Sequence, residues 1–275
     1  MVHSSYFATI LARLLKHRGT EPSELSSASG LPVAELQGIL AGTPPLVPQL
    51  DLLAPALGFH AADLYLMAGI VVPEALAHRS QTGYGKAKLV ATARVLPADR
   101  LAHLVDLVEG LPRESLEILP APPQIFDPRT AGFGAVLVNL LWYGRNLRTR
   151  DMATILATLT DLTLSGPTIP AVGTGAAALT PKIAAAFATV LGLPPEDVMA
   201  MAGLPLPHPP ARTDPRAPEM ASLLWLCRHL TNDQLRSVGR EANAMLVPVP
   251  SDGRPEEWHR VYSVGDVWWG ARKNS

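Results

Sequence analysis

Apolar side chains near the start of the chain fall at Phe7, Ile10, Leu11, Leu14 and Leu15. This is the i, i+3, i+4, i+7, i+8 spacing of a helix with one buried face, and it predicts a helix over Phe7–His17. Pro22–Ser29 reads as a short second helix, closed by Gly30 in the position where a left-handed residue ends a helix. Pro32 occupies the first position of a third helix, which ends at Gly42. Val47–Leu57, stopped by Gly58, and Ala61–Ala68 supply a fourth and a fifth. Lys86–Val95 and Asp99–Glu109, parted by a Leu-Pro break, form a two-helix extension.

The same pattern then returns. Phe7, Ile10, Leu11, Leu14 and Leu15 recur as Phe133, Val136, Leu137, Leu140 and Leu141, at an offset of 126. Leu31, Leu36, Ile39 and Gly42 recur as Leu164, Ile169, Val172 and Gly175, at an offset of 133. Ala54, Leu57, Gly58, Asp63, Leu64, Ala68 and Gly69 recur as Ala188, Leu191, Gly192, Asp197, Val198, Ala202 and Gly203, at an offset of 134. The match holds through Leu89, Arg94, Leu96, Asp99 and Leu101 to Leu223, Arg228, Leu230, Asp233 and Leu235. Offsets that grow in steps are those of a duplicated unit with small insertions.

Proline-rich joints fall at 111–131 and at 205–218, where an extended, semi-rigid chain is expected. The expected organisation is all-α. Residues 1–110 form a first five-helix unit with its extension, 111–132 a linker, 133–247 a second such unit, and 248–275 an aromatic tail.

The stretch "EPSELSSASGLPVAELQGILAG" followed by "LDLLAPALGFHAADL" resembles the phage-repressor-like (Xre) helix-turn-helix family. The likeness covers Phe7–Ile70 and, less cleanly, Phe133–Leu204. It implies a five-helix domain whose third helix enters the DNA major groove, with the first residues of that helix reading base edges. Those positions here are Val33, Ala34, Gln37 and Gly38 in the first copy, and Gly166, Pro167, Pro170 and Ala171 in the second. The phosphate-contacting position at the start of helix 2 is Pro22, and Thr149 in the second copy. Base readout needs side chains that donate or accept hydrogen bonds, and of the eight positions Gln37 alone qualifies.

Charge points the same way. Residues 1–70 carry three bases (Arg13, Lys16, Arg18) and five acids (Glu21, Glu24, Glu35, Asp51, Asp63), a net of −2. Residues 133–204 carry four of each, and the whole chain has a formal charge of −1. Affinity for DNA comes largely from Lys and Arg neutralising phosphates. Arg145, Arg148 and Arg150, clustered before the second helix of the second copy, are the residues available for that role.

Other chemistry is sparse. Gly173–Ala178 spells G-x-G-x-x-A, a pattern that cradles a dinucleotide only between a strand and an uninterrupted helix. Pro181 would interrupt that helix, and the duplication places Gly175 opposite Gly42, at the end of a third helix. No P-loop lysine, H-E-x-x-H or G-x-S-x-G occurs, nor any paired-cysteine metal pattern, so neither metal nor cofactor is expected. His60, beside the fifth helix, reads as a cap. The single cysteine, Cys227, aligns with Ala93 and reads as core. It fits a reducing, cytoplasmic setting. The opening residues carry charges within their apolar stripe, so no secretory signal is expected. Leu162–Pro181 is too broken by Pro and Gly for a membrane span. Arginine outnumbering lysine, with abundant Ala and Pro, points to a GC-rich bacterial genome.

Aromatic residues gather in the second copy and the tail. Trp142, Tyr143, Trp225, Arg228, His229, Trp258, His259 and Tyr262 form an expected lining for an apolar pocket with polar handles. Arg228 and His229 are the candidates for acid–base work. The expected function is a repurposed helix-turn-helix scaffold that binds a small apolar molecule or a protein partner. Such a scaffold could carry a cofactor-free acid–base step of cyclising or isomerising type in a biosynthetic pathway. The alternative is a cytoplasmic Xre-type transcriptional regulator acting as a homodimer, with DNA contacts from Gln37, Arg145, Arg148 and Arg150.

Overall fold

In a computed structural model of the chain, Phe7, Ile10, Leu11, Leu14 and Leu15 are buried on the inner face of a helix, α1 (Ser4–Arg18), as their spacing requires. The structure describes residues 4–73, 76–77, 85–114 and 126–246. The first half continues with α2 (Pro22–Ser29), α3 (Val33–Leu40), α4 (Val47–Leu57) and α5 (Ala61–Met67). It closes with the hairpin α6 (Lys86–Ala93) and α7 (Ala98–Glu109). A short α8 (Pro128–Ala131) leads to α9 (Phe133–Asn139), which runs on into a π-helical turn, Leu140–Gly144. Then come α10 (Thr149–Leu159), α11 (Thr168–Thr174), α12 (Pro181–Leu191) and α13 (Pro195–Ala202). Last are α14 (Ala217–Leu226), a 3-10 turn at Cys227–His229, and α15 (Asn232–Ala244). The fold is all-α. Among the described residues the one extended pairing is an isolated bridge between Thr160 and Thr213.

Helix starts recur at an offset of 134: Val47 and Pro181, Ala61 and Pro195, Ala98 and Asn232. The left-handed residues Gly58 and Gly192 end α4 and α12 in the same way. Within the first helix of each half the offset changes from 126 at Leu15/Leu141 to 127 at Arg18/Arg145, so the second copy holds one extra residue there. The π-helical turn absorbs it. Arg145 N donates to Leu140 O, five residues back, where an α-helix would reach four. As a result Arg145 leaves its helix in register with Arg18, and Asn146 (φ 50°) takes the left-handed place that Gly19 (φ 62°) holds in the first half.

The halves pack reciprocally. α1 lies against α13, while α9 and its π-turn lie against α5, and the hairpin α6–α7 meets the hairpin α14–α15. The chain to Met245 clusters as one compact unit. Each half therefore offers the same patch to the other, as in an isologous two-fold interface, but within a single chain. The ion pairs obey the same symmetry. Arg18 donates to Asp197 at 3.1 and 2.6 Å and to Leu57 O at 2.9 Å. Arg145 donates to Asp63 at 2.7 and 2.9 Å and to Leu191 O at 2.8 Å. Each guanidinium spans the junction to the start of the fifth helix opposite and fastens the end of the fourth helix of its own half. Burial distinguishes the two: the Arg145–Asp63 side chains are 0% exposed, whereas Arg18 keeps 29% of its surface.

One local expectation changes and one holds. Part of the linker expected to be extended is the helix α8, because Asp127 caps it through a bond from Arg129 N and Pro128 sits at its first position. Phe126, just before it, packs on α11, where a Cβ added to Gly173 would lie 3.0 Å from the ring. The G-x-G-x-x-A stretch is the end of α11, closed by left-handed Gly175 (φ 78°), with Thr180 capping α12 and Pro181 at the first position of that helix.

Candidate functional site

The buried Arg145–Asp63 pair forms the floor of a cluster drawn from both halves. His60, one turn before Asp63, begins α5. Its backbone is extended as a cap residue requires, but its side chain makes no capping bond. The imidazole instead lies flat on the indole of Trp225, with ring centroids 3.5 Å apart and planes inclined by 6°. Trp225 stands near the end of α14, and the 3-10 turn that follows folds Arg228 back over it. Arg228 Nη1 donates to Trp225 O at 2.8 Å, and its Cζ lies 3.4 Å from the ring centroid. Two groups each within van der Waals distance of one ring centre occupy opposite faces, so Arg228, Trp225 and His60 form a three-layer column. Arg145 Cζ lies 4.8 Å from the same indole.

A polar chain supports the column from behind. Asn146 Nδ2 donates to Arg228 O at 2.9 Å, and Asn146 O accepts from Lys86 Nζ at 2.8 Å. Lys86 Nζ also reaches Arg145 O at 3.3 Å, so a first-half lysine caps the end of the second half's first helix. Asp151 accepts from Gly85 N at 3.2 Å, which fixes the start of α6.

These burials shift protonation. Lys86 is pushed down to about 7, chiefly because the interior disfavours its charge, while the nearby Cys227 and Asp151 oppose the shift. Burial pushes the Cys227 thiol up to about 12. Arg228 falls to about 9 through burial and then the guanidiniums of Arg145 and Arg113, which leaves it cationic at neutral pH. His60 keeps surface open to solvent, yet its ring against the indole resists charging. It is lowered to about 4, first by desolvation, with Asp63 opposing and Arg145 and Arg228 assisting. The imidazole is therefore neutral across the physiological range.

His60 also lines a cleft of about 480 Å³. The opposite wall is the turn from α12 to α13, Leu191 to Pro195, and the third side is Thr213–Pro215 with the outer face of α14 at Pro218, Ala221 and Ser222. This volume lies within the range of small-molecule sites, and the lining is mostly aliphatic. The one carboxylate on it, Asp214, is already engaged by Arg94 at 2.9 Å and by Arg216 N at 2.8 Å.

The expected aromatic lining is only partly assembled. Trp225 and Arg228 meet in the column but back the cleft instead of lining it. Trp142 pairs edge-on with Phe126 at 6.1 Å. Trp142, Tyr143 and His229 are half-buried and do not border the cleft. Trp258, His259 and Tyr262 lie outside the described residues. The acid–base candidates Arg228 and His229 are thus away from the cleft, and His60 is on it. Arg145, expected as a DNA contact, is 0% exposed and committed to Asp63, so it cannot reach a phosphate. Arg148 is half-buried, whereas Arg150 and Gln37 are exposed. On α3, Val33 and Ala34 are exposed as well; on the second copy Gly166, Pro170 and Ala171 are half-buried. Among the described residues no group of three or more His, Cys, Asp or Glu could hold a metal, and no helix is long and apolar enough to cross a membrane.

Comparison with protein-family models, curated proteins and solved structures found no match for this chain.

Proposed function

We propose that the chain is a repurposed helix-turn-helix scaffold that binds a small apolar molecule in the cleft beside His60. The observation that carries this reading is the column itself. A neutral imidazole is held flat by Trp225 and Arg228 at the edge of an aliphatic cleft, and it makes no capping bond to α5. The would-be reading helices support it from the other side, since of their eight expected reading positions Gln37 alone carries a hydrogen-bonding side chain. Any acid–base step in such a site would fall to His60, acting as a weak base.

The test is saturable binding of N-phenyl-1-naphthylamine, a neutral apolar fluorophore, to the full chain. One equivalent per chain is expected, lost in Ser222→Trp, which fills the cleft from an exposed position on α14. Absence of saturable binding, or binding that Ser222→Trp leaves intact, overturns the reading. The reciprocal packing of the halves favours one other reading, an Xre-type regulator carrying both half-site readers in one chain. It requires a DNA fragment retarded at low salt, with retardation weakened by Gln37→Ala or by charge reversal at Arg148 and Arg150.

A further inference from the structure

We infer that the cleft selects an uncharged, planar aromatic molecule bearing a hydroxyl or N–H donor, which stacks on the open face of His60 as a fourth layer of the Arg228–Trp225–His60 column. This rests on the cleft being the binding site. One face of the imidazole is covered by Trp225 at 3.5 Å, yet His60 remains exposed and borders the cleft, so its free surface is the opposite face and the edge. A ring placed there continues a column already parallel to within 6°. The neutral, flat imidazole face suits stacking by a planar aromatic ring such as a phenol or indole.

Charge and hydrogen bonding narrow the ligand further. Asp214 has its partners in Arg94 and Arg216, so the cleft presents no uncommitted charge to a charged ligand. Of the three hydroxyl residues on the cleft, Thr189, Thr213 and Ser222, two are committed as donors. Thr189 Oγ1 donates to Ala185 O at 3.1 Å, and Ser222 Oγ donates to Pro218 O at 3.1 Å. A hydroxyl that has given its proton to the backbone keeps lone pairs to accept with. With the Thr213 hydroxyl and the neutral His60 ring each able to donate and accept, these two committed hydroxyls make acceptors outnumber donors on the cleft, which a ligand that donates complements.

Three probes of one size separate the parts of this inference: 2-naphthol, 2-methoxynaphthalene, which lacks the donor, and decahydro-2-naphthol, which lacks the planar ring. Titration calorimetry on the full chain is expected to rank 2-naphthol at least tenfold tighter than either of the others. His60→Ala should reduce 2-naphthol to the level of its saturated analogue and leave that analogue unchanged. His60→Phe, which restores a flat face, should recover most of the loss, and thermal melts check that both variants fold. If the saturated and aromatic alcohols bind equally, and Ser222→Trp abolishes both, the cleft stands and the stacking inference is overturned. Equal binding of 2-naphthol and its methyl ether removes the donor requirement. If no probe binds, or Ser222→Trp changes nothing, the site reading falls and the inference with it.

Discussion

Replacing Asp63 by Ala strands the Arg145 guanidinium in the interior, and the internal symmetry supplies its own control. Both side chains of that pair are 0% exposed, and the carboxylate accepts both Nη1 and Nη2 of the arginine. After truncation the guanidinium keeps the Leu191 carbonyl and the Trp225 ring, and Arg145 Nε already lacks a hydrogen-bond partner. Leaving a buried charge without its counter-ion costs about 3–5 kcal/mol. Asp197→Ala breaks the symmetry-related pair, but Arg18 is 29% exposed and can turn its charge to water. A loss of about 1 kcal/mol is expected there, in the range of exposed pairs. Urea unfolding of the full chain measures both. With slopes of about 1–3 kcal/mol/M, the buried substitution should lower the midpoint by about 1 M or more relative to the exposed one. Added salt should shrink the Asp197→Ala effect and leave that of Asp63→Ala. The double replacement Asp63→Leu with Arg145→Met should recover most of the loss, because it removes the stranded charge and refills the volume. Equal costs for the two single substitutions would refute the reasoning, since the pairs share topology and differ in burial.

Further outcomes follow from the same packing. A Cβ at Gly134 would lie 2.8 Å from Val172 O, so Gly134→Ala should force α9 and α11 apart at a cost of about 1–3 kcal/mol, whereas Gly239→Ala, with open space around it inside α15, should stabilise by about 0.5–1 kcal/mol in the same melts. Because His60 is lowered to about 4, the folded state binds fewer protons than the unfolded state between about pH 4 and the ordinary value of 6.5. Stability should therefore rise with pH across that window, the rise should be smaller in His60→Gln, and imidazole NMR shifts should place the titration near the lower limit. Lys86 is lowered to about 7 from 10.5, so its contribution is again a rise in stability with pH, from about 7 to 10.5, that Lys86→Met removes. Cys227, buried and held as a thiol, should react with a disulfide reagent only on unfolding; rapid reaction of the native chain would contradict the packing around α14.

The helices were legible because their signals are local: apolar spacing, a proline at a first turn, a glycine past a last one. Pro22–Ser29 and Val47–Leu57 are read to the residue. The site was less so. Arg145 reads as one of a basic triplet because Arg148 and Arg150 are its chain neighbours, whereas its partner Asp63 lies 82 positions away. The repeat held a usable signal, since Arg18 and Arg145 correspond, and so do Asp63 and Asp197. A base and an acid retained at matched places in both copies are the mark of a pair exchanged between halves. The one-residue insertion masked it by moving Arg145 out of the 126 register, and only the π-turn brings it back. His60 offered no such clue. Beside a helix start, an imidazole is indistinguishable from a cap until Trp225, from the far end of the other half, is placed against it.

The symmetry also explains why the column occurs once. At the offset of 134, the positions matching His60, Trp225 and Arg228 are Pro194, Ala91 and Arg94. With neither imidazole nor indole at the related place, Arg94 pairs with Asp214 on the rim of the cleft. Pro194, the counterpart of His60, lines that same cleft. The two symmetry-related positions thus face one cavity, one as a flat polar ring and the other as a rigid apolar wall. A homodimer of a single unit would carry identical residues at both places and could not build this asymmetry. Two halves in one chain can carry different residues at these matched places while the reciprocal ion pairs hold the scaffold. On this argument the proposed site depends on the halves differing at matched positions, and restoring the match by Pro194→His or by Trp225→Ala should weaken naphthylamine binding before it lowers the melting temperature.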